Sequence, residues 1–462
     1  MTTRSVTALA LLLAAPLLAQ QAPAPQQPPA GGTPHDFRLP EGRTFTLPNG
    51  MGVTMVPYGA VPKVFIGLYV RSGNLNETNG ETWLADLTGD LMKEGTTSRT
   101  AEQVAADAGA MGGTVDIGVG LDETTISGSV LAESAPAFVR LLADVVRNPR
   151  LPASELPRLK ADRARNLAVA LQDPGQTTEA RFAAMLYGAH PYGRTFPTPE
   201  QLNGYTVEQV RAFWTANFGA QRSHLYVVGR FDARGVEAAV REAFGSWAQG
   251  PAPLVNVPQP HSTRDLMLLD RPGAPQSTLA IGLSVPDPSS PDWIPLQVTN
   301  SLLGGSFASR ITANIREDKG YTYSPYSAIS VHYRDANWIQ HADVTTNVTG
   351  PSLHEIFGEI DRLRGEAPSA DELSGIQNYR AGIFVLQNSS SQGIANMLDF
   401  TRQNGLGRDY LTTYVQKVNA VTPADVQRIA RMYLDPARML IVVTGDSAQV
   451  APQVAPYRRV TP

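Results

Sequence analysis

The pattern of apolar and polar positions divides this chain into short alternating runs that read as strands and longer periodic runs that read as helices. Thr44-Phe-Thr-Leu-Pro-Asn-Gly50 and Val53-Thr-Met-Val56 predict a hairpin about Asn49-Gly50, since a tight hairpin turn needs backbone conformations that Asn and Gly tolerate. Val64-Phe-Ile-Gly-Leu-Tyr-Val-Arg71 is the next strand, and a helix follows within residues 81–96. The alternation over residues 114–130 predicts two paired strands, with helices at roughly 134–146 and 153–171. A similar order returns later: strand 277–285, helix 293–303, strands near 321–332 and 338–346, and helices at about 352–364 and 370–390.

The return is a repeat. Thr206-Val-Glu-Gln-Val210 and Thr422-Pro-Ala-Asp-Val426 each open a helix, with the threonine as N-cap and Gln209 or Asp425 three residues on. Each helix leads to an arginine (Arg222, Arg438) and then a buried-type strand, Leu225-Tyr-Val-Val-Gly229 or Ile441-Val-Val-Thr-Gly445. All these pairs are 216 residues apart. The predicted fold class is therefore α+β: two tandem homologous domains, each a mostly antiparallel sheet covered by helices. Pro251-Ala-Pro-Leu-Val-Asn-Val-Pro-Gln-Pro-His-Ser262 is proline-rich and reads as a semi-rigid linker. It separates a domain at 38–250 from one at 263–460.

Composition sets the compartment. Arg4 followed by the apolar run Val6–Ala19 predicts a secretory leader over residues 1–19, and the Pro/Gln-rich residues 20–37 predict a disordered tether. With no cysteine anywhere, disulfides, thiolate metal sites and a thiol nucleophile are excluded. An exported chain without cysteine suits a bacterial periplasm. A net charge of −4 gives no reason to expect nucleic acid or an anionic membrane as partner, and after the leader no apolar run is long enough to span a bilayer. The seven histidines are scattered, with no pair at helical spacing, and no Gly-x-Ser-x-Gly elbow occurs.

Residues 81–96, Glu-Thr-Trp-Leu-Ala-Asp-Leu-Thr-Gly-Asp-Leu-Met-Lys-Glu-Gly-Thr, resemble the first active-site helix of the M16 (pitrilysin, mitochondrial-processing-peptidase-like) zinc peptidases. So do Leu47-Pro-Asn-Gly50, His190-Pro-Tyr-Gly-Arg194, Leu303-Gly-Gly-Ser-Phe-Ala-Ser-Arg310 and, most specifically, Ile315-Arg-Glu-Asp-Lys-Gly-Tyr-Thr-Tyr323. The resemblance implies the M16/LuxS-like metallohydrolase fold. In that family the helix carries His-x-x-Glu-His, whose imidazoles hold zinc and whose carboxylate deprotonates the metal-bound water. Aligning on Gly95-Thr96 puts Asp86, Gly89 and Asp90 at those positions, a degenerate metal site. The family's third ligand, a glutamate on a later helix, aligns with Arg165 and Asn166. Asp86 and Asp90 share one helix face and with a third oxygen can hold Mg²⁺ or Ca²⁺ weakly, but they lack the donors zinc prefers.

The same resemblance casts Arg316 and Tyr323 as the pair that approaches substrate in the family's two-subunit bacterial members, where a second chain carries the zinc. It implies no cofactor in this chain, zinc in a homologous partner bearing His-x-x-Glu-His, and an extended peptide or unfolded protein as substrate. Asp116 and Gly118 lie on the edge expected to pair with peptide, and Gly304-Gly305 resembles the start of a substrate-guiding glycine-rich loop, much shortened here. The expected function is a non-catalytic subunit acting in trans. The alternatives are an inactive scaffold or peptide-binding protein and, least of all, a self-sufficient peptidase with unusual ligands.

Overall fold

The computed structural model describes residues 38–39, 41–261, 263–407 and 409–458. The expected leader at 1–19 and tether at 20–37 lie outside the described residues. The first half builds a six-stranded sheet from β1 (Arg43–Thr46), β2 (Gly52–Pro57), β3 (Lys63–Val70), β4 (Asp116–Val119), β5 (Thr124–Leu131) and β6 (Ser223–Gly229), in the order β1-β2-β6-β3-β5-β4. The second builds a five-stranded sheet from β7 (Asp265–Asp270), β8 (Gln276–Val285), β9 (Tyr326–His332), β10 (Asp335–Thr345) and β11 (Leu440–Gly445), in the order β7-β11-β8-β10-β9.

The repeat read from sequence is the symmetry of the fold. Thr206 and Thr422 each cap a helix in a reciprocal box with Gln209 and Asp425, satisfying backbone donors that would otherwise be orphaned. The strand after each helix takes the same place: β6 lies between parallel β2 and antiparallel β3, and β11 between parallel β7 and antiparallel β8. Every residue of β6 and β11 is buried, which explains their unbroken apolar runs.

Both faces of these strands are covered because the halves exchange helices. Pro174–Tyr187, from the first half, packs on β8 and β11 of the second. Ser391–Gln403, from the second, packs on β3 and β6 of the first. Alternation along a strand then serves two cores at once. Ile441 and Val443 face the second half's own core, while Leu440 and Val442 meet Phe182, Leu186 and Tyr187 of the visiting helix. Val56, Phe65, Tyr226 and Val228 likewise receive Ile394 and Ala395.

Two expectations shift in detail. The Asn49-Gly50 hairpin forms, but its connection runs from Leu47 to Met51 instead of a two-residue turn. Gly50 takes the left-handed φ of 90°, and the Asn49 amide donates to the carbonyls of Phe244 (2.8 Å) and Trp247 (2.9 Å), so a long-range anchor sets the loop. The strand expected near 321–332 begins only at Tyr326, which leaves Tyr323 outside the sheet.

Beside these apolar clusters the seam between the halves also carries a polar network. Asp122 accepts from the Tyr192 hydroxyl and from Tyr333 N (3.2 Å), and Asp335 accepts from the Tyr187 hydroxyl (2.7 Å). Gln403 bridges Glu123 and Asp399 at 2.5 Å each, and Arg402 pairs with Asp399 at 2.6 Å. Burial pushes Glu123 well above the usual carboxylate range, with the Asp399 charge adding to it, and lifts Asp335 to about 6 and Glu77 to about 8. Burial also lowers His332 and His341 to about 4 and His224 to about 3.

These shifts set a pH dependence. The carboxylates hold their protons more tightly folded than unfolded, so their stabilisation is complete below the ordinary carboxylate value and is lost as pH rises through the folded values. The histidines act oppositely: their stabilisation is present above the ordinary imidazole value of 6.5 and is lost as pH falls toward 4. Above 6.5 only the carboxylates act, so the thermal midpoint is expected to fall from neutral pH to about pH 9, and Glu123→Gln to flatten that limb. A wild-type midpoint constant across this range, measured by differential scanning fluorimetry, contradicts the assignment.

Candidate functional site

The aligned positions Asp86, Gly89 and Asp90 lie on the helix Leu84–Met92, which starts later than the resembling stretch. Trp83 precedes it in a left-handed conformation (φ 69°), its indole N–H bonded to the Thr195 carbonyl at 3.0 Å. Side-chain anchoring holds a residue type that avoids that region. The buried Glu77 carboxyl accepts from Ala85 N at 2.9 Å and so caps the helix start from a distance.

Asp86 and Asp90 stand one turn apart, and every one of their carboxylate oxygens is taken. Arg163, from the helix Leu156–Gln172, reaches Asp90 Oδ2 through Nε (2.7 Å) and Asp86 Oδ1 through Nη1 (3.1 Å). Asn74 donates to Asp86 Oδ2 (2.8 Å), and Lys93 pairs with Asp90 Oδ1 (3.1 Å). A guanidinium thus bridges the two aspartates. Zinc does not fit these residues: no imidazole is present, the two carboxylates are neutralised, and a fixed positive charge lies within 3.1 Å of both. Among the described residues no cluster of three or more His, Cys, Asp or Glu is arranged to hold a metal ion.

Gly89, at the family's catalytic glutamate position, has a steric reason to be glycine. A Cβ there would lie 2.5 Å from Val119 Cγ2, because the helix packs directly on β4. The aligned third-ligand position needs a correction. Arg165 and Asn166 both face solvent, and Arg165 pairs with Asp162. Arg163, two residues earlier, turns inward instead. Its signal was present in the sequence: it falls between Leu159 and Leu167 on the buried stripe of the helix, where an arginine demands a carboxylate.

Beside this helix lies a cavity of about 520 Å³ between the halves, with Trp83, Asp86, Phe196, Glu179, Tyr326 and His341 on its wall. β4 is the edge strand of the first sheet, as its expected peptide-pairing role requires. Asp116 is exposed and accepts from Thr114 Oγ1 (3.1 Å), and the Cα of Gly118 faces open space. His190 accepts from Tyr192 N (3.3 Å) and caps the turn Pro191–Gly193, ordering a loop as its motif suggested.

The second site is the block around Arg316 and Tyr323. Residues Ala313–Asp318 form a π-helical turn, closed by Lys319 N to Asn314 O at 3.0 Å. Such widened turns recur at functional sites. Ile315 anchors this one in the core, and Asn314 bonds Glu355 (3.0 Å) and Glu359 (2.8 Å). Tyr323 is 80% exposed and Phe307 70% exposed. The Arg316 guanidinium lies over both rings, 4.9 Å from the Tyr323 centroid and 4.4 Å from that of Phe307. Its one ion pair is Nε to Glu317 at 3.0 Å, and its Nη atoms have no protein partner among the described residues.

Gly304 and Gly305 have a packing role. Gly304 is buried, and a Cβ on it would meet Ser327 Oγ and Gln340 Oε1 at 2.6 Å; one on Gly305 would meet Asn300 Nδ2 at 2.4 Å. Gly304 thus packs against the second sheet and Gly305 against the end of the helix Trp293–Leu303.

A family model described as insulinase (peptidase family M16) matches residues 58–200, and one described as the peptidase M16 inactive domain matches residues 204–379. The chain belongs to the M16 peptidase family. A relative from Mycobacterium leprae (strain TN), named an uncharacterized zinc protease, is 29% identical over 408 residues, covering 84% of this chain and 88% of the relative. A Mycobacterium tuberculosis (strain ATCC 25618 / H37Rv) protein of the same description is 26% identical over 407 residues, covering 85% of this chain and 90% of its own. Among solved structures, the peptidase M16 inactive domain from Pseudomonas fluorescens superposes with a TM-score of 0.82 at 22% identity, covering 87% of this chain and 98% of that one. A protease from Helicobacter pylori does so with a TM-score of 0.83 at 18% identity, covering 88% and 100%.

Proposed function

We propose that this chain is the zinc-less subunit of an exported, periplasmic two-chain M16-type peptidase, and that it completes the active site of a homologous chain carrying His-x-x-Glu-His. One contrast carries the reading. In the first half Arg163, Asn74 and Lys93 occupy every carboxylate oxygen of Asp86 and Asp90, while in the second half Tyr323 is 80% exposed and the Arg316 Nη atoms have no protein partner among the described residues. The chemistry that activates water is gone, and the groups that meet a substrate carbonyl are retained.

Each retained group has a role in peptide hydrolysis. A zinc held by the partner would supply the activated water, and the Tyr323 hydroxyl of this chain would donate to the scissile carbonyl oxygen as negative charge builds there. The Arg316 fork holds a neighbouring substrate carbonyl through its free Nη donors. The open edge of β4 is available to pair with an extended peptide, a mode that uses main-chain hydrogen bonds and demands little sequence. The substrate is thus an extended peptide or unfolded protein.

The test is reconstitution. The isolated chain is expected to carry no stoichiometric zinc by elemental analysis and to leave a quenched fluorescent peptide intact. Adding the homologous zinc-bearing chain is expected to produce cleavage well above that of the zinc chain alone. Cleavage unchanged by adding this chain contradicts the proposal and favours a scaffold.

A further inference from the structure

We propose that Phe307 is a positioning residue for Arg316: its ring holds the guanidinium over the Tyr323 ring, so that the Arg316 donors and the Tyr323 hydroxyl serve one stretch of substrate backbone. The inference rests on the reading of the Arg316–Tyr323 pair given above and deepens it. Arg316 is a long side chain with many rotamers, and among the described residues its ion-pair partner is Glu317, its neighbour in sequence and 58% exposed at the side chain. A surface pair of that kind does little to fix a guanidinium. The two aromatic faces at 4.4 Å and 4.9 Å are the remaining contacts, and both attract a cation electrostatically.

The loop that carries Phe307 is itself rigid. On one side Gly304 and Gly305 fit against Ser327, Gln340 and Asn300 with no room for a Cβ, and Gly304 O accepts from Ser327 N at 2.9 Å. On the other side the fully buried Ser309 donates to Thr312 Oγ1 at 2.9 Å. A phenylalanine 70% exposed between two fixed points contributes little to a core. Its recorded neighbour is the guanidinium. The glycine pair therefore reaches the site indirectly, by fixing the base of the Phe307 loop.

The test is a double-mutant cycle in the reconstituted peptidase, with a parallel measurement on this chain alone. Phe307→Leu, which keeps bulk but removes the π face, is expected to lower kcat/KM about three- to fivefold. The same change in an Arg316→Ala background is expected to have no effect, and Phe307→Tyr to retain wild-type activity. In the isolated chain, NMR should show the ring-current shift of the Arg316 side-chain protons reduced by Phe307→Leu with an unchanged thermal midpoint. An unaltered Arg316 shift, or an equal loss of activity with and without Arg316, overturns the proposal. If Arg316→Ala and Tyr323→Phe leave the mixture fully active, the assisting function fails, and the NMR comparison still decides whether Phe307 positions the arginine.

Discussion

Tyr323→Phe is expected to lower kcat of the reconstituted peptidase at least tenfold while leaving KM nearly unchanged. The substitution removes one hydroxyl and keeps the ring, so the contact with Arg316 at 4.9 Å survives and the loss reports the donor alone. A single oxyanion donor is worth about 2.7–4 kcal/mol of transition-state stabilisation. The tenfold figure is a floor, because at 80% exposure the hydroxyl is hydrated before substrate arrives and only the surplus over water counts. An effect confined to kcat marks an interaction made in the transition state, whereas a rise in KM alone would mark ordinary binding. Stopped-assay kinetics on the mixed subunits separate the two, and unchanged kcat removes Tyr323 from the chemistry.

Arg163→Ala is expected to destabilise this chain by about 2–3 kcal/mol, lowering its thermal midpoint by several degrees. The substitution leaves Asp86 and Asp90 one turn apart with mutual repulsion and only Asn74 and Lys93 as partners. The cost stays below that of a fully buried pair because Arg163 is 22% exposed at the side chain and the two aspartates 17% each. Arg163→Met combined with Asp86→Asn and Asp90→Asn should recover most of the loss, since replacing all members of a buried ionic group strands no charge. Equal destabilisation by the triple variant would mean that Arg163 acts by packing its stem, not by neutralising Asp86 and Asp90. Thermal or urea unfolding followed by circular dichroism distinguishes these outcomes.

The sequence carried a good deal of this. Capping boxes and apolar strands are local features, so the two units 216 residues apart were readable from residue types, and with them the doubled architecture. That the helix Leu84–Met92 carries no imidazole is equally readable, because its residues are fixed by the sequence. Arg316 and Tyr323 stood out through the block around them, although the sequence pointed to Tyr323 within a strand and the structure leaves it free.

What sequence missed came from contacts between distant segments. Arg163 and Arg165 are two residues apart, a rotation of about 200° on a helix, which turns one toward the aspartates and the other toward water. A count along the chain errs by that much easily. Phe307 gave no signal either, since an exposed phenylalanine acquires meaning only from the guanidinium brought beside it.

Residue order alone determined that there are two similar halves and that the helix Leu84–Met92 carries no histidine, and it singled out Arg316 and Tyr323. Tertiary packing decided how the halves interlock. The helices Pro174–Tyr187 and Ser391–Gln403 each cross to the other half's sheet, and no pattern within them names that destination. A helix's periodicity reports that one face is buried, while the partner it is buried against is fixed only when both sheets form and their uncovered faces compete for it.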